Sequence, residues 1–288
     1  MEGHRHDDIA RKVDWRDLVA MKPVDGISEC LHPLPWLATS LIAAQYAQWP
    51  IALVCSFMFF LTALRLNHEA IHHSLGFSPR GHRAVLHGLS LVMLGSNHSV
   101  AFNHMQHHAQ INTARDIEGR CGRMSLAGVL AYGPLFPFAC HRNTWREGGR
   151  AWRHLLVIDL AFNLGLPALA LATGWTALAY HIAVMLVAQC FTALFAVWIT
   201  HRSCEHGELV ARTQRSRWIN FISYNMFFHL EHHLFPAVPV KRLPRLATRI
   251  DVLAPWLGRQ SKRVVGRSPV SDDRHVCIAA DRILTGTL

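Results

Sequence analysis

Lysine and arginine are absent from two long stretches of this sequence, residues 34–64 and residues 154–200. Only 17% of all residues are charged and 51% are hydrophobic, a high apolar share for a soluble chain. Long apolar stretches without basic residues are typical of membrane spans, each of which needs about 20 helical residues. The basic residues behind the net charge of +10 lie outside these stretches. Attraction to anionic lipid headgroups and the positive-inside rule explain this charge better than nucleic-acid binding does. We therefore predict a membrane protein that binds no nucleic acid.

No two of the seven cysteines form a C-x-x-C pair. Their spacing excludes the usual motifs of zinc ribbons, iron–sulfur clusters and redox dithiols. Cys55 and Cys190 lie inside the apolar stretches, and we interpret them as small buried hydrophobic residues. The N-terminal residues also lack the apolar core of a secretory signal, so we expect them to stay on the cytoplasmic side.

The two apolar stretches predict four transmembrane helices arranged as two hairpins. Trp49-Pro50 suits the first hairpin turn because proline opens a helix more easily than it continues one. Residues 172–175, Ala-Thr-Gly-Trp, suit the second turn. We place the crossings at residues 31–48, 50–69, 154–172 and 176–200.

Four crossings leave the N-terminal arm, the middle region and the tail on one side of the membrane. These segments carry all 29 basic residues, so the positive-inside rule places both termini in the cytoplasm. Residues 125–140 are apolar but broken by Gly133-Pro134 and Pro137, which predicts an interfacial or re-entrant segment.

The predicted fold is an all-α, multi-pass integral protein of the cell inner membrane, with a cytoplasmic helical cap. We divide the chain into an N-terminal arm (1–30), a membrane domain (31–258) and a polar tail (259–288). We expect this tail to be partly disordered because it lacks hydrophobic periodicity.

Histidine is the residue type that points to chemistry, with 21 copies in the chain. Most of them fall in four short motifs, each following an apolar stretch: H-E-A-I-H-H from His68, H-M-Q-H-H from His104, H-R-S-C-E-H from His201 and H-L-E-H-H from His229. On a helix, positions i, i+3 and i+4 share one face, so we expect each H-x-x-H-H motif to direct three imidazoles to one spot. In the first motif, His72 lies closer to the face of His68 than His73 does.

Nine or more imidazoles at one face exceed the four ligands of a single zinc ion, which indicates a binuclear metal site. Imidazole binds zinc, copper, iron and nickel, so the residue type alone does not name the metal. Glu69 and Glu231 lie inside the motifs, and we expect them to orient histidine rings rather than bind metal.

Other polar residues are expected to have different roles. We expect six isolated histidines to be ordinary interfacial or core groups: His32, His87, His98, His141, His154 and His181. The roles of His73 and His206 stay open. Asp159 and Asn163 lie one turn apart in a predicted span, so we expect them to face the bundle interior, along a substrate path. Asn225 precedes His229 by one turn, within reach of the metals directly or through a water.

The motifs H-x-x-x-H-H, H-x-x-H-H and H-x-x-H-H, with residues 225–239 and Arg242-Leu-Pro-Arg245, resemble the membrane fatty-acid desaturase superfamily over residues 30–250. The resemblance implies two iron ions and O2-dependent oxidation of a C–H position. It also implies that nine histidines are the iron ligands and catalytic residues: His68, His72, His104, His107, His108, His201, His229, His232 and His233.

Members of this superfamily act on different substrates. We predict desaturation or hydroxylation of a fatty acyl lipid; the alternative is a related oxygenase for a carotenoid or a rhizopine-like small molecule. We expect a separate ferredoxin or cytochrome to deliver electrons at the basic face. A non-catalytic metal carrier is a third hypothesis, but it predicts ligands spaced along a path through the membrane.

Overall fold

The computed structural model describes residue 9, residues 11–204 and residues 209–266. These residues form helices and turns without a β-strand, and one isolated bridge joins Thr213 to Arg263. The all-α prediction is confirmed for the described part of the chain. His206 and most of the predicted tail lie outside it.

The first apolar stretch folds as a helical hairpin. It follows α1 (Pro23–Leu31) and consists of α2 (Leu34–Gln45) and α3 (Trp49–Ile71), with Pro50 in the first turn of α3, as predicted. Helix α3, at 1.5 Å per residue, is about 35 Å long and can cross a bilayer, whereas α2 reaches only about 18 Å. The crossing predicted for residues 31–48 is therefore not confirmed.

Polar contacts join the two helices of the first hairpin and connect α3 to other parts of the chain. The hydroxyls of Ser40 and Ser56 lie 2.7 Å apart between α2 and α3. Near the end of α3, buried Arg65 forms an ion pair with Glu29 of α1. Its Nε also donates to the carbonyl of Tyr224, 3.0 Å away. These bonds fix the end of α3, from which the first histidine motif extends.

The middle region forms five helices and no further candidate span among its residues. They are α4 (Pro79–Met93), α5 (Asn97–Ala109), α6 (Ile117–Gly122), α7 (Leu126–Tyr132) and α8 (Phe136–Glu147). Ser96 caps α5 by accepting from the backbone of Ser99 at 3.1 Å, which is a preferred N-cap arrangement. The segment predicted to be interfacial breaks at a 3-10 turn, Gly133–Leu135.

The second apolar stretch forms the other hairpin. Helices α9 (Arg150–Asn163) and α10 (Gly165–Thr173) together form one candidate span, Arg150–Thr173. Gly174 follows with a φ of +64°, a left-handed conformation that suits glycine. The chain returns through α11 (Thr176–Gln189) and α12 (Ala193–His201), which are bent by 45° relative to each other. The described residues thus contain two candidate spans, or three if the bent pair is one.

Residues 209–266 include four more helices, three of which share a hydrophobic core. The four are α13 (Arg217–Ile222), α14 (His229–Leu234), α15 (Leu243–Leu253) and α16 (Pro255–Gln260). Leu230, Leu246 and Ile250 are at most 1% exposed in this core, and Val13 and Leu18 of the N-terminal arm pack into it. Burial of these side chains holds α14, which carries the last histidine motif, against the ends of the spans.

Candidate metal centre

The ends of two apolar helices meet at the histidine motifs. His68 lies in the last turn of α3, with His72 just beyond it, and His201 ends α12. Helix α5 carries His104, His107 and His108, and α14 carries His229, His232 and His233. The structure brings all nine histidines of the predicted ligand set together.

Five of these histidines form the first histidine group: His68, His72, His104, His108 and His232. The Nε2 atoms of His68 and His232 lie 3.0 Å apart, as do those of His72 and His104. The Nε2 atom of His108 lies 3.2 Å from that of His104 and 3.1 Å from that of His232.

The remaining four form the second histidine group: His107, His201, His229 and His233. The Nε2 atom of His229 lies 2.8 Å from that of His201 and 3.2 Å from that of His233. His107 belongs with His201 and His233 because one ring nitrogen from each lies within 4.8 Å of the others.

The two groups adjoin each other. The rings of His108 and His233 stack with their centroids 4.4 Å apart, one ring from each group. The expectation that each H-x-x-H-H motif directs its rings to one spot was wrong, since His104 and His107 of one motif belong to different groups. Positions i and i+3 differ by about 60° around a helix, which is enough to reach two neighbouring points.

Outward hydrogen bonds orient three of the rings. His104 Nδ1 lies 2.9 Å from Glu118 Oε2, and His107 Nδ1 lies 2.9 Å from Asp116 Oδ2. His201 Nδ1 lies 2.9 Å from the carbonyl of Val210. Since a carbonyl or carboxylate accepts, each Nδ1 carries the hydrogen, and the lone pair of each Nε2 points into its group.

This geometry fits metal ions. Two imidazole nitrogens at right angles on an ion, each about 2.1 Å from it, lie about 3 Å apart, which matches the Nε2 separations. Where both facing nitrogens carry lone pairs, they repel each other unless a cation lies between them. His107 Nε2 is also buried without a hydrogen-bond partner among the described residues. Two all-nitrogen donor sets therefore suit two ions of the imidazole-binding metals, which include iron.

The predicted role of the two glutamates inside the motifs was wrong. Glu69 accepts from the Ser74 hydroxyl at 2.9 Å and from the backbone of Val240 at 2.9 Å. Glu231 accepts from the Thr213 hydroxyl at 2.7 Å and pairs with Arg215 at 2.6 Å. Both carboxylates bind neighbouring segments instead of histidine rings, because α3 and α14 direct them away from the two groups.

The carboxylates that contact rings of the two histidine groups, Asp116 and Glu118, were missed from the sequence. Asp116 precedes α6 and Glu118 lies in the first turn of α6. The spacing of the two residues in the sequence does not indicate that the chain folds back onto α5. An available signal was the acidic pair D-x-E within ten residues of His108.

His73 lies outside both groups, and the reach of Asn225 to the metals stays a prediction. His73 adopts a φ of +55° and stacks on His82 with a centroid distance of 4.7 Å, outside both groups. Asn225 lines a cavity next to Tyr224 and Phe228. Among the isolated histidines, buried His181 binds the carbonyl of Val92 at 2.8 Å, which supports its interpretation as an ordinary core group.

His87, His98 and Asp159 form a third cluster, between α4, α5 and α9. Asp159 is fully buried, as predicted, and its carboxylate lies 2.7 Å from His87 Nδ1 and 3.0 Å from His98 Nδ1. It also accepts from the Ser96 hydroxyl and the backbone of His98 at the start of α5. These four donors satisfy the Asp159 carboxylate, whereas His98 Nε2 is buried without a hydrogen-bond partner among the described residues. Neither Asp159 nor Asn163 lines the two cavities described below, and their place along a substrate path stays a prediction.

Replacing Asp159 with asparagine is expected to lower the free energy of unfolding by about 3 kcal/mol, because the amide cannot accept from all four donors. Thermal unfolding in detergent measures the change. Exposed Asp14→Asn is the control and should leave stability unchanged. Equal stability of Asp159→Asn and the parent protein would contradict the assignment of this carboxylate as the anchor of α5.

Burial, followed by the neighbouring imidazoles, lowers the pKa of His229, His232 and His233 well below 6.5. Below pH 6.5 the unfolded chain therefore binds protons that the folded, metal-free chain does not. The contribution of these histidines to the free energy of unfolding is fully present above pH 6.5. It falls as the pH drops, by about 1.4 kcal/mol per pH unit for each such histidine. Denaturation of metal-free protein between pH 5 and 7.5 measures the slope, which His233→Gln should reduce. A flat profile would contradict the account.

The comparisons with known proteins agree with this geometry. A family model described as fatty acid desaturase matches residues 44–260, a range that includes both histidine groups. No curated protein and no solved structure matches the chain. Because the match covers more than half of the chain, this protein belongs to the fatty acid desaturase family.

Proposed function

We propose that this protein is a membrane di-iron oxidoreductase that uses O2 to desaturate or hydroxylate a C–H position of a fatty acyl lipid. The observation that carries the proposal is the convergence of nine histidines into two adjoining groups with inward-facing Nε2 atoms. His68, His72, His104, His108 and His232 would hold one iron; His107, His201, His229 and His233 would hold the other. When bound, the irons supply the redox chemistry that activates O2 for attack on a C–H bond.

An apolar cavity of about 300 Å³ is lined by residues that are close in sequence to the proposed ligands. Leu64, Ile199 and Phe227 line it, and each of them lies within one turn or two residues of a proposed ligand. Ser223 is the polar side chain in its lining. A hydrocarbon chain fits these surroundings, which would hold it close to the metals and exclude water from the reacting carbon.

The apolar cavity reaches the surface of the bundle. Its lining includes Phe57, 44% exposed on the candidate span α3, and Ile222, 61% exposed on α13. Trp218 and Phe221 of α13 are 77% and 74% exposed, so this short helix suits the membrane interface. These features support entry of the substrate sideways from the bilayer.

A larger cavity of about 740 Å³ lies on the other side of Ile222. Arg217 and Asn220 line it together with Trp36 and Tyr224. Asn220 is 3% exposed, and its Oδ1 has no hydrogen-bond partner among the described residues. A cation and an unsatisfied acceptor suit the polar end of an amphiphile whose chain occupies the apolar cavity.

A separate ferredoxin or cytochrome would deliver the electrons, and the histidine groups would lie at the cytoplasmic side of the membrane. The apolar lining also suits a carotenoid, which keeps the related oxygenase as a second candidate. Convergence of the histidines in adjoining groups disfavours the metal-carrier hypothesis, since a carrier needs sites along a path.

Mass spectrometry of lipid and small-molecule extracts under 18O2 tests the proposal. Cells with the protein should contain a desaturated or 18O-hydroxylated acyl chain that is missing from cells with His201→Ala. Exposed His154→Gln is the matched control and should retain the product. Unchanged acyl lipids would contradict the lipid proposal, and product formed only when a carotenoid is supplied would favour the second candidate.

A further inference from the structure

One short helix brings two carboxylates to the histidine groups. Helix α6 follows α5 after a loop, and Asp116 and Glu118 lie at its N-terminal end. The carboxylates are 2% and 5% exposed, so both are withdrawn from solvent. Each contacts the Nδ1 atom of a histidine in α5 at 2.9 Å.

The two carboxylates divide between the two groups. Glu118 contacts His104, whose Nε2 faces the first histidine group, and Asp116 contacts His107 of the second. The second group also contains His201, whose Nδ1 binds the neutral carbonyl of Val210. Each group therefore includes one ring held by an anion.

Backbone contacts hold Asp116 in this position. Its Oδ1 accepts from the backbone of Gly119 at 2.8 Å, which caps α6, and its Oδ2 accepts from the backbone of Asn112 at 3.0 Å. Both oxygens also lie within 3.0 Å of His107 Nδ1. A carboxylate with these bonds orients the ring and does not turn toward the metal.

The charge of the site gives these bonds a second role. Nine neutral imidazoles leave the charge of two cations uncompensated by any ligand, inside a largely buried site where unbalanced charge is costly. A carboxylate that accepts from Nδ1–H increases the basicity of the opposite nitrogen, and such partners contribute about 10–100-fold to metal affinity.

We propose that Glu118 and Asp116 are positioning residues that set the metal affinity of the two groups separately, Glu118 through His104 and Asp116 through His107. The proposal rests on the proposed function, in which the histidines hold two irons. It goes beyond that function because it assigns one carboxylate to each ion.

Metal competition with a chelator tests this assignment, together with Mössbauer spectra of protein loaded with 57Fe. Glu118→Gln keeps an oxygen acceptor but removes the charge. It is expected to lower the affinity for one of the two ions by about 10–100-fold and to change one iron signal in the Mössbauer spectrum. Asp116→Asn is expected to weaken the other ion and change the other signal. The double variant should show both effects.

Asp116 also caps α6, so a second variant separates capping from metal binding. Asp116→Ser keeps a capping hydroxyl, but its shorter side chain does not reach His107. Because the cap remains, it should leave the metal-free protein more stable than Asp116→Ala does, while weakening the binding of one ion as much as Asp116→Ala. Glu69→Gln is the matched control, a buried carboxylate beside His68 that binds Ser74 and Val240 and should retain wild-type affinity for both ions.

The outcomes separate this proposal from the proposed function. If wild-type protein binds two irons and the Glu118 and Asp116 variants match it in affinity and spectra, the positioning roles are overturned and the function stands. If both variants weaken the same ion, the division between groups is overturned. If wild-type protein binds fewer than two irons, the proposed function fails and this proposal fails with it.

Discussion

Replacing His72 with asparagine is expected to remove metal from the first histidine group and to lower product formation by more than about 100-fold. The same change at His73, the next residue, should leave both ions and turnover in place. His72 Nε2 lies 3.0 Å from that of His104, whereas His73 stacks on His82 outside both groups. Loss of a metal ligand should lower metal affinity and activity more than loss of a residue that only hydrogen-bonds to a ligand. The latter already lowers them by about 10–100-fold.

The pair is a matched comparison because both variants alter the same motif by the same substitution. Asparagine tolerates the left-handed backbone of His73, where φ is +55°, so His73→Asn should fold. Metal analysis and product formation are measured for both variants. Equal metal loss in the two, or full activity of His72→Asn, would contradict the assignment of His72 to the first group.

Replacing Ala196 with tryptophan is expected to block the apolar cavity and reduce product formation by about 100-fold while both metal ions are retained. Ala196 lines this cavity on α12, close to Ile199. A bulky ring there would displace the reacting carbon, and misplacement by about 1 Å can cost about 100-fold in rate. Product formation from long and short acyl chains, with metal analysis, measures the effect, which should be smaller for short chains.

Ala168→Trp is the matched control, since Ala168 is exposed on apolar helix α10. It introduces the same side chain away from the cavity and should leave product formation unchanged. Full activity of Ala196→Trp on long acyl chains would contradict the placement of the substrate in this cavity.

Much of the helical framework follows from the sequence. The turns at Trp49-Pro50 and before Trp175 lie where proline and glycine predict them. The number of crossings does not follow, because α2 and α3 are similarly apolar but differ in length, 12 against 23 residues. Helix length depends on where the chain packs and turns, which composition does not specify.

The nine histidines could be selected from the motifs, but their division into two groups could not. Helical spacing predicts that His104 and His107 share a face, and only tertiary packing decides that they face different partners. The same limit applies to the carboxylates. Glu69 lies beside His68 in the sequence but binds Ser74, while Glu118 reaches His104 because the chain folds back.

Metal content and coordination of the purified, iron-loaded protein test the central claim most directly. Elemental analysis should give two irons per chain, and X-ray absorption should show imidazole nitrogen ligands at about 2.1 Å from iron. One iron or none per chain, or iron ligands that are mainly carboxylate oxygen or sulfur, would contradict the account of two adjoining histidine groups.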